Sequence, residues 1–260
     1  MRLVDPDAFY TQTDDGVFAS SALTAGPWSP DAQHGGPPSA LLARELEGYE
    51  PRDGHRLARV SVDILRPVPV APLHISVESL RTSRRVQLLQ ARARSGEHTV
   101  AIARAWRVVA AAADFPAEPA DAPQGAEPPD RPPTFPDGLR RDGYLSVIDW
   151  SFESGDFAAP GPARAWARPS VALVAGEPMT PWQRVLTVAD SGSGISICAP
   201  PSEFPAINCD LVVALHRDPV GPWIGLDSHT TVTPGAGALT HTTVFDRAGP
   251  AGLATQTLVV

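Results

Sequence analysis

Adding water to an activated carbonyl requires a base for the water, groups that hold it, and donors for the oxygen that becomes negative. This chain offers residues of each type. Asp210 opens an apolar strand, where burial would lift a carboxyl from ~3.9 toward the working pH. Thr231 brings a hydroxyl and Gln256 an amide; neither titrates, so both can fix the lone pairs of a water. Gln256 is the single amide in the closing strand Leu253–Val260. Gly35 and Gly36 stand at a helix start, whose free N–H groups and positive dipole end suit a developing oxyanion. Asp190 is a rival base, but in the run Asp190-Ser191-Gly192-Ser193-Gly194 it reads as a helix-terminating residue. His34, just before the glycines, reads as a surface or helix-capping histidine. Cys198 and Cys209 lack metal-ligand spacing and read as two reduced, buried thiols, so no metal site is expected.

The elements that would carry these groups come twice. Residues 60–108 and 210–259 follow one plan of an apolar strand, a proline-broken turn and three more alternating strands. Pro69 and Pro72 recur 150 positions later as Pro219 and Pro222. Gly96 and Gly249 mark the last turn of each copy. Repeats so far apart imply a duplicated domain, not a solenoid, whose units run to ~20–50 residues. Each copy also has a helix ahead of its strands. Gly35-Gly36-Pro37-Pro38 leads into Ser39–Glu47, apolar on most of its circumference and so expected to be buried, with Gly48 at its end. Thr180-Pro181-Trp182 opens a comparable helix through Val188. From Asp210 onward, Leu211, Val213 and Leu215 face one way, and Asp210, Val212, Ala214 and His216 the other.

Between the copies, Phe115–Asp137 holds eight prolines and little apolar content, a composition that suits a stiff connector better than a core. The expected division is residues 1–113, a linker at 114–137, and 138–260. One buried helix wrapped by a curved antiparallel sheet, twice over, is the simplest way to hide these faces, which makes the fold class α+β.

Composition excludes several functions. A formal charge of −8 argues against a general nucleic-acid binder, which depends on clustered cations. All 21 basic residues are arginine, and this carries no functional reading. No stretch approaches the ~20 apolar residues of a membrane span. Met1–Tyr10 carries Asp5 and Asp7 without an apolar core, unlike a signal peptide, so a soluble cytoplasmic protein is expected.

A buried helix in a curled antiparallel sheet, duplicated in one chain, resembles the double-hotdog fold. His34-Gly35-Gly36-Pro37-Pro38-Ser39-Ala40-Leu41-Leu42-Ala43-Arg44 is similar to the Gly-Gly helix start of the acyl-CoA thioesterase II family. The order of Asp210, His216-Arg217, Pro219, Thr230-Thr231 and Gln256 also resembles that family. The resemblance implies hydrolysis of acyl-CoA without metal or organic cofactor, in the cytoplasm, as a homo-oligomer. It places the family's Asp, Thr and Gln set on Asp210, Thr231 (or its neighbour Thr230) and Gln256, with Gly35 and Gly36 binding substrate. The aligned first-copy positions are Val60 and about Ala103, so one active site per chain is expected, completed by the first half's helix start.

Two rivals remain at this stage. A hotdog enoyl-CoA hydratase needs an Asp/His pair before the helix; Asp31 and His34 are the only such pair, without the surrounding motif. A protein that binds acyl groups without catalysis is the alternative from another class.

Overall fold

The computed structural model describes residues 7–116 and 127–260. Strands β1 (Ala8–Asp14) and β2 (Val17–Ser20) precede helix α1 (Gly36–Gly48). Strands β3 (His55–Ile64), β4 (Leu73–Thr82), β5 (Val86–Ser95) and β6 (His98–Val109) complete the first copy. A 3-10 turn at Tyr144–Val147 leads into β7 (Ile148–Asp156), β8 (Ala159–Pro169) and β9 (Ala172–Val174). Helices α2 (Pro181–Ala189) and α3 (Gly192–Ile195) follow. The chain closes with β10 (Ile207–Asn208), β11 (Asp210–Leu215), β12 (Ile224–Thr233), β13 (Gly237–Asp246) and β14 (Gly249–Val259).

The strands of both copies form one sheet, ordered β7-β8-β12-β13-β14-β11-β3-β6-β5-β4-β2-β1-β9, with β10 beside β14. The copies meet where β11 runs antiparallel to β3, pairing Val213 with Val60. Each helix lies on strands of its own copy, α1 on β4, β5 and β6, and α2 on β8, β12 and β13.

Strand register shows how faithful the duplication is. Val77↔Ala91 recurs as Ser228↔Thr242, Leu89↔Ala105 as Thr240↔Gln256, and Val62↔Ala103 as Val213↔Ala254. Each member moves by 151 positions, one more than the proline spacing suggests. The first-copy counterpart of Gln256 is therefore Ala105 rather than Ala103, and that of Asp210 is Arg59 rather than Val60. Gly96 and Gly249 take φ of 56° and 104°, in the left-handed region that favours glycine, at the turns where the sequence places them.

The helices follow their local signals. Pro37 and Pro38 occupy the first turn of α1, and Leu41, Leu42 and Leu46 are fully buried, each contributing about 1.5–3 kcal/mol. The buried Arg107 closes the other end, donating to the carbonyls of Leu46, Glu47, Tyr49 and Glu50. These are the carbonyls an ending helix leaves unpaired, and a cation also matches the negative dipole end. Helix α2 begins with a capping box: Thr180 Oγ1 accepts the Gln183 N–H, and Gln183 Oε1 accepts the Thr180 N–H.

Two expectations need adjustment. Cys198 and Cys209 are free thiols but both are exposed, not buried. Within the proline-rich 114–137, residues 117–126 lie outside the described residues. Residues 127–137 run beside β7: Arg131 O accepts the Phe152 N–H, Asp156 Oδ1 accepts the Thr134 N–H, and Phe135 stacks on Phe157.

Candidate active site

The two helices lie antiparallel, and their near ends define the site. At one end the Glu47 carboxylate of α1 accepts from Thr180 and Gln183 at the start of α2. At the other, the start of α1 meets Asp190, which caps the C-terminus of α2. Glycine makes this approach possible. A Cβ on Gly35 would stand 2.8 Å from Asp190 Oδ2, and one on Gly36 would stand 2.0 Å from the Thr187 carbonyl oxygen. A carboxylate at the end of its own helix is electrostatically unfavourable, and the positive start of α1 offsets this.

Three side chains converge on Asp190. Asn208 Nδ2 donates to Oδ1 at 2.8 Å. His34 Nδ1 lies 3.2 Å from Oδ2. Gln256 Nε2 donates to the Asp190 main-chain oxygen at 2.9 Å, while its Oε1 accepts the Ser193 N–H at 2.9 Å. Beneath α3 the inner face of β12 and β13 continues the polar surface, with Ser228 bonded to Thr242 and Thr230 to both Thr240 and Ser196. Gly192 allows α3 to lie against it, because a Cβ there would be 2.6 Å from Thr242 Oγ1 and 3.0 Å from Gln256 Oε1.

Among the described residues the carboxylates buried to this degree are Asp190 and Asp246, 5% and 3% exposed. Their surroundings differ. Asp246 receives a bidentate Arg217 at 2.6 and 2.7 Å and the N–H groups of Val220 and Ala248. Burial works to raise its pKa, but these bonds and the Arg217 charge outweigh it and the net shift is down. It is a structural ion. Asp190 has no arginine partner among the described ion pairs; His34 is the one titratable group paired with it. A buried carboxylate beside a polar surface is the residue type that a general base requires.

His34 is held flat against Tyr144, with centroids 3.7 Å apart and planes 5° from parallel. The Tyr144 hydroxyl bonds the Thr187 carbonyl and Ser191 Oγ. Burial lowers the pKa of His34, and the Asp190 charge only partly opposes this, so the ring is mainly neutral near pH 7. Burial pushes the Tyr144 phenol well above its ordinary value, so it stays protonated.

Of the residues singled out by sequence, Gln256, Gly35 and Gly36 come together around Asp190. Asp210 and Thr231 do not join them. Asp210 sits on the outward face of β11, where its Oδ1 accepts the Thr257 N–H at 2.6 Å. Thr257 and Gln256 are consecutive on β14 and point to opposite sides of the sheet. Thr231 is exposed, and its neighbour Thr230 carries the inward hydroxyl. Asp190 is thus more than a helix terminator, and Asn208 enters unanticipated. One irregularity hides Asn208 from strand alternation: β11 pairs Val212 with Thr255, whereas β10 pairs Asn208 with Leu258. The register slips by one residue near Cys209, which turns Asn208 inward.

The acyl-CoA thioesterase N-terminal domain profile matches residues 24–108, and the acyl-CoA thioesterase C-terminal domain profile matches residues 116–260. The chain belongs to the acyl-CoA thioesterase family. No curated protein matches it. Among solved structures, an acyl-CoA thioesterase II, TesB2, from Mycobacterium marinum is 17% identical, with a TM-score of 0.65 over 96% of this chain and 94% of that one. The tesB protein of Mycobacterium avium subs paratuberculosis is also 17% identical, with a TM-score of 0.63 over the same shares of the two chains. A conserved protein of unknown function with a hot dog fold from Alicyclobacillus acidocaldarius is 16% identical, with a TM-score of 0.73 over 97% and 96%. These likenesses establish the fold of this family member as a double hotdog.

Proposed function

We propose that this chain hydrolyses acyl-CoA thioesters at a single site centred on Asp190, with Asn208 and Gln256 as its partners and Gly35 and Gly36 opposite. The observation that carries this reading is the placement of Asp190: a buried carboxylate, without an arginine partner among the described residues, pressed against the start of α1. Asp190 Oδ2 takes a proton from water as the water oxygen adds to the thioester carbonyl carbon. Asn208 holds Oδ1 in place, and Gln256 fixes the turn that carries both Asp190 and Ser193. Negative charge then develops on the carbonyl oxygen, toward the N–H groups and positive dipole of the α1 start. The tetrahedral intermediate collapses by breaking the C–S bond, and the departing CoA thiolate recovers the proton from the Asp190 carboxyl. Every step uses the chain's own groups.

The test is the release of CoA from a panel of acyl-CoA chain lengths, followed with a thiol reagent. Asp190→Asn keeps shape and hydrogen bonding but removes the base, and the expected loss is at least ~100-fold in kcat. Asp210→Asn, on the outward face, is expected to stay within about twofold. The opposite ranking would return the site to Asp210 and Thr231. Acyl-CoA binding by the unmodified protein without any CoA release would favour the non-catalytic reading.

A further inference from the structure

His34 Nδ1 faces two groups that make opposite demands. The Gly36 N–H donates to it at 3.1 Å, which requires a bare lone pair. Asp190 Oδ2 lies 3.2 Å from the same atom, and an ionised carboxylate there requires Nδ1 to carry a proton. One nitrogen cannot satisfy both. With Nδ1 protonated, the ring donates to Asp190 and the Gly36 N–H is left without its acceptor. With Nδ1 bare, the Gly36 N–H is occupied and Asp190 meets a lone pair unless it is itself protonated. Tyr144, stacked on the ring face and anchored to Thr187 and Ser191, holds the imidazole plane in line with both groups.

Accepting the site proposed above, we infer that His34 is a positioning residue that couples the base to the oxyanion donor. An ionised Asp190 selects the Nδ1–H form of the neutral ring, and that form releases the Gly36 N–H toward the thioester oxygen. When Asp190 has taken the proton of the attacking water, the demand on Nδ1 relaxes. Base and donor are thus made ready together. The titratable groups that face His34 are Asp190, from the end of α2, and Tyr144, from the 3-10 turn, and Tyr144 stays neutral. One buried proton between Nδ1 and Oδ2 therefore governs the arrangement.

Imidazole ¹⁵N shifts of the wild-type protein read the tautomer directly. Above the titration of His34, the Nδ1–H tautomer is expected, reverting to Nε2–H in Asp190→Asn, whose amide can donate to Nδ1. An Nε2–H tautomer in the wild type would overturn the inference without needing any variant to fold. Kinetics provide the second readout. His34→Leu keeps apolar contact with Tyr144 but offers Asp190 no donor, and kcat should fall by about 10- to 100-fold, what one hydrogen bond to a charged group is worth. His34→Asn restores an N–H donor and should recover most of kcat. KM should change by less than about threefold in both, because the proposed role lies in the chemical step. Equal kcat in wild type and His34→Leu, or equal losses in Leu and Asn, would leave His34 a packing residue. If Asp190→Asn retains full activity, the proposed site fails instead; if it is inactive while His34→Leu is not, only the coupling fails.

Discussion

The inner faces of the two copies compare residue for residue, because their strand registers repeat with a fixed shift. In the first copy the facing positions are Val77, Leu89, Ala91, Ala103 and Ala105, the last four fully buried and apolar. In the second they are Ser228, Thr240, Thr242, Ala254 and Gln256, just as buried and mostly polar. One scaffold thus holds two chemistries. The apolar face gains stability from area removed from water. The polar face depends on every hydroxyl and amide finding a partner, since a bonded group gives ~1 kcal/mol net and a buried unpaired one costs about 1–3. Its pairs, Ser228 with Thr242, Thr230 with Thr240 and Ser196, and Gln256 with Ser193 and Asp190, meet that condition. The copy that carries the proposed site rests on hydrogen bonds; the other rests on packing.

The largest expected effect comes from making one copy resemble the other. Gln256→Ala installs the residue found at Ala105. It strands the Ser193 N–H and loosens the turn carrying Asp190, so kcat should fall by roughly 10²–10³-fold, with about 1–3 kcal/mol lost in stability. The reverse change, Ala105→Gln, should destabilise by a similar amount and create no activity, because Leu89 and Ala91 offer the new amide no partner. CoA release and denaturant melts of both variants check this. If Ala105→Gln is neutral in stability, the apolar face is more tolerant than the comparison claims.

How much of this was legible in the sequence follows from the same contrast. The duplication, both helices, the Gly-Gly approach and Gln256 could be found, because apolar alternation, prolines and glycines are local signals. Asp190 could be seen but not ranked. Its importance comes from the start of α1, more than 150 residues earlier, being packed against it, and no local pattern records a helix pair. Asn208 was hidden by a one-residue slip in strand register, and alternation counted across that slip favours Asp210. The resemblance drew attention to Asp210, which lies on the outward face of its strand. Thr231 is a similar case: two consecutive threonines are identical in propensity, and only the pleat tells which one faces inward.

The next effect tests what the first copy supplies. Gly36→Ala places a Cβ about 2.0 Å from the backbone oxygen of Thr187, which no side-chain rotation can relieve. The helices must separate at the end where Asp190 meets α1. A loss of about 1–3 kcal/mol is expected, with reduced kcat, because the carboxylate and the N–H groups of α1 move apart. A variant with full stability and activity would mean that the close approach is not what makes the site.

The smallest effect comes from the far end of the same helix. Gly48 ends α1 in helical geometry, and a Cβ there meets nothing within 4 Å. The Arg107 guanidinium already holds the surrounding carbonyls of Leu46, Glu47, Tyr49 and Glu50, so the backbone needs no glycine freedom to terminate there. Gly48→Ala should therefore stabilise the protein by about 0.4–1 kcal/mol, through the narrower set of conformations left to the unfolded chain, with hydrolysis unchanged. Thermal unfolding of Gly36→Ala and Gly48→Ala side by side gives shifts of opposite sign if one glycine serves an approach between helices and the other serves nothing. Equal shifts would mean that the cost at Gly36 belongs to the helix backbone and not to its contact with α2.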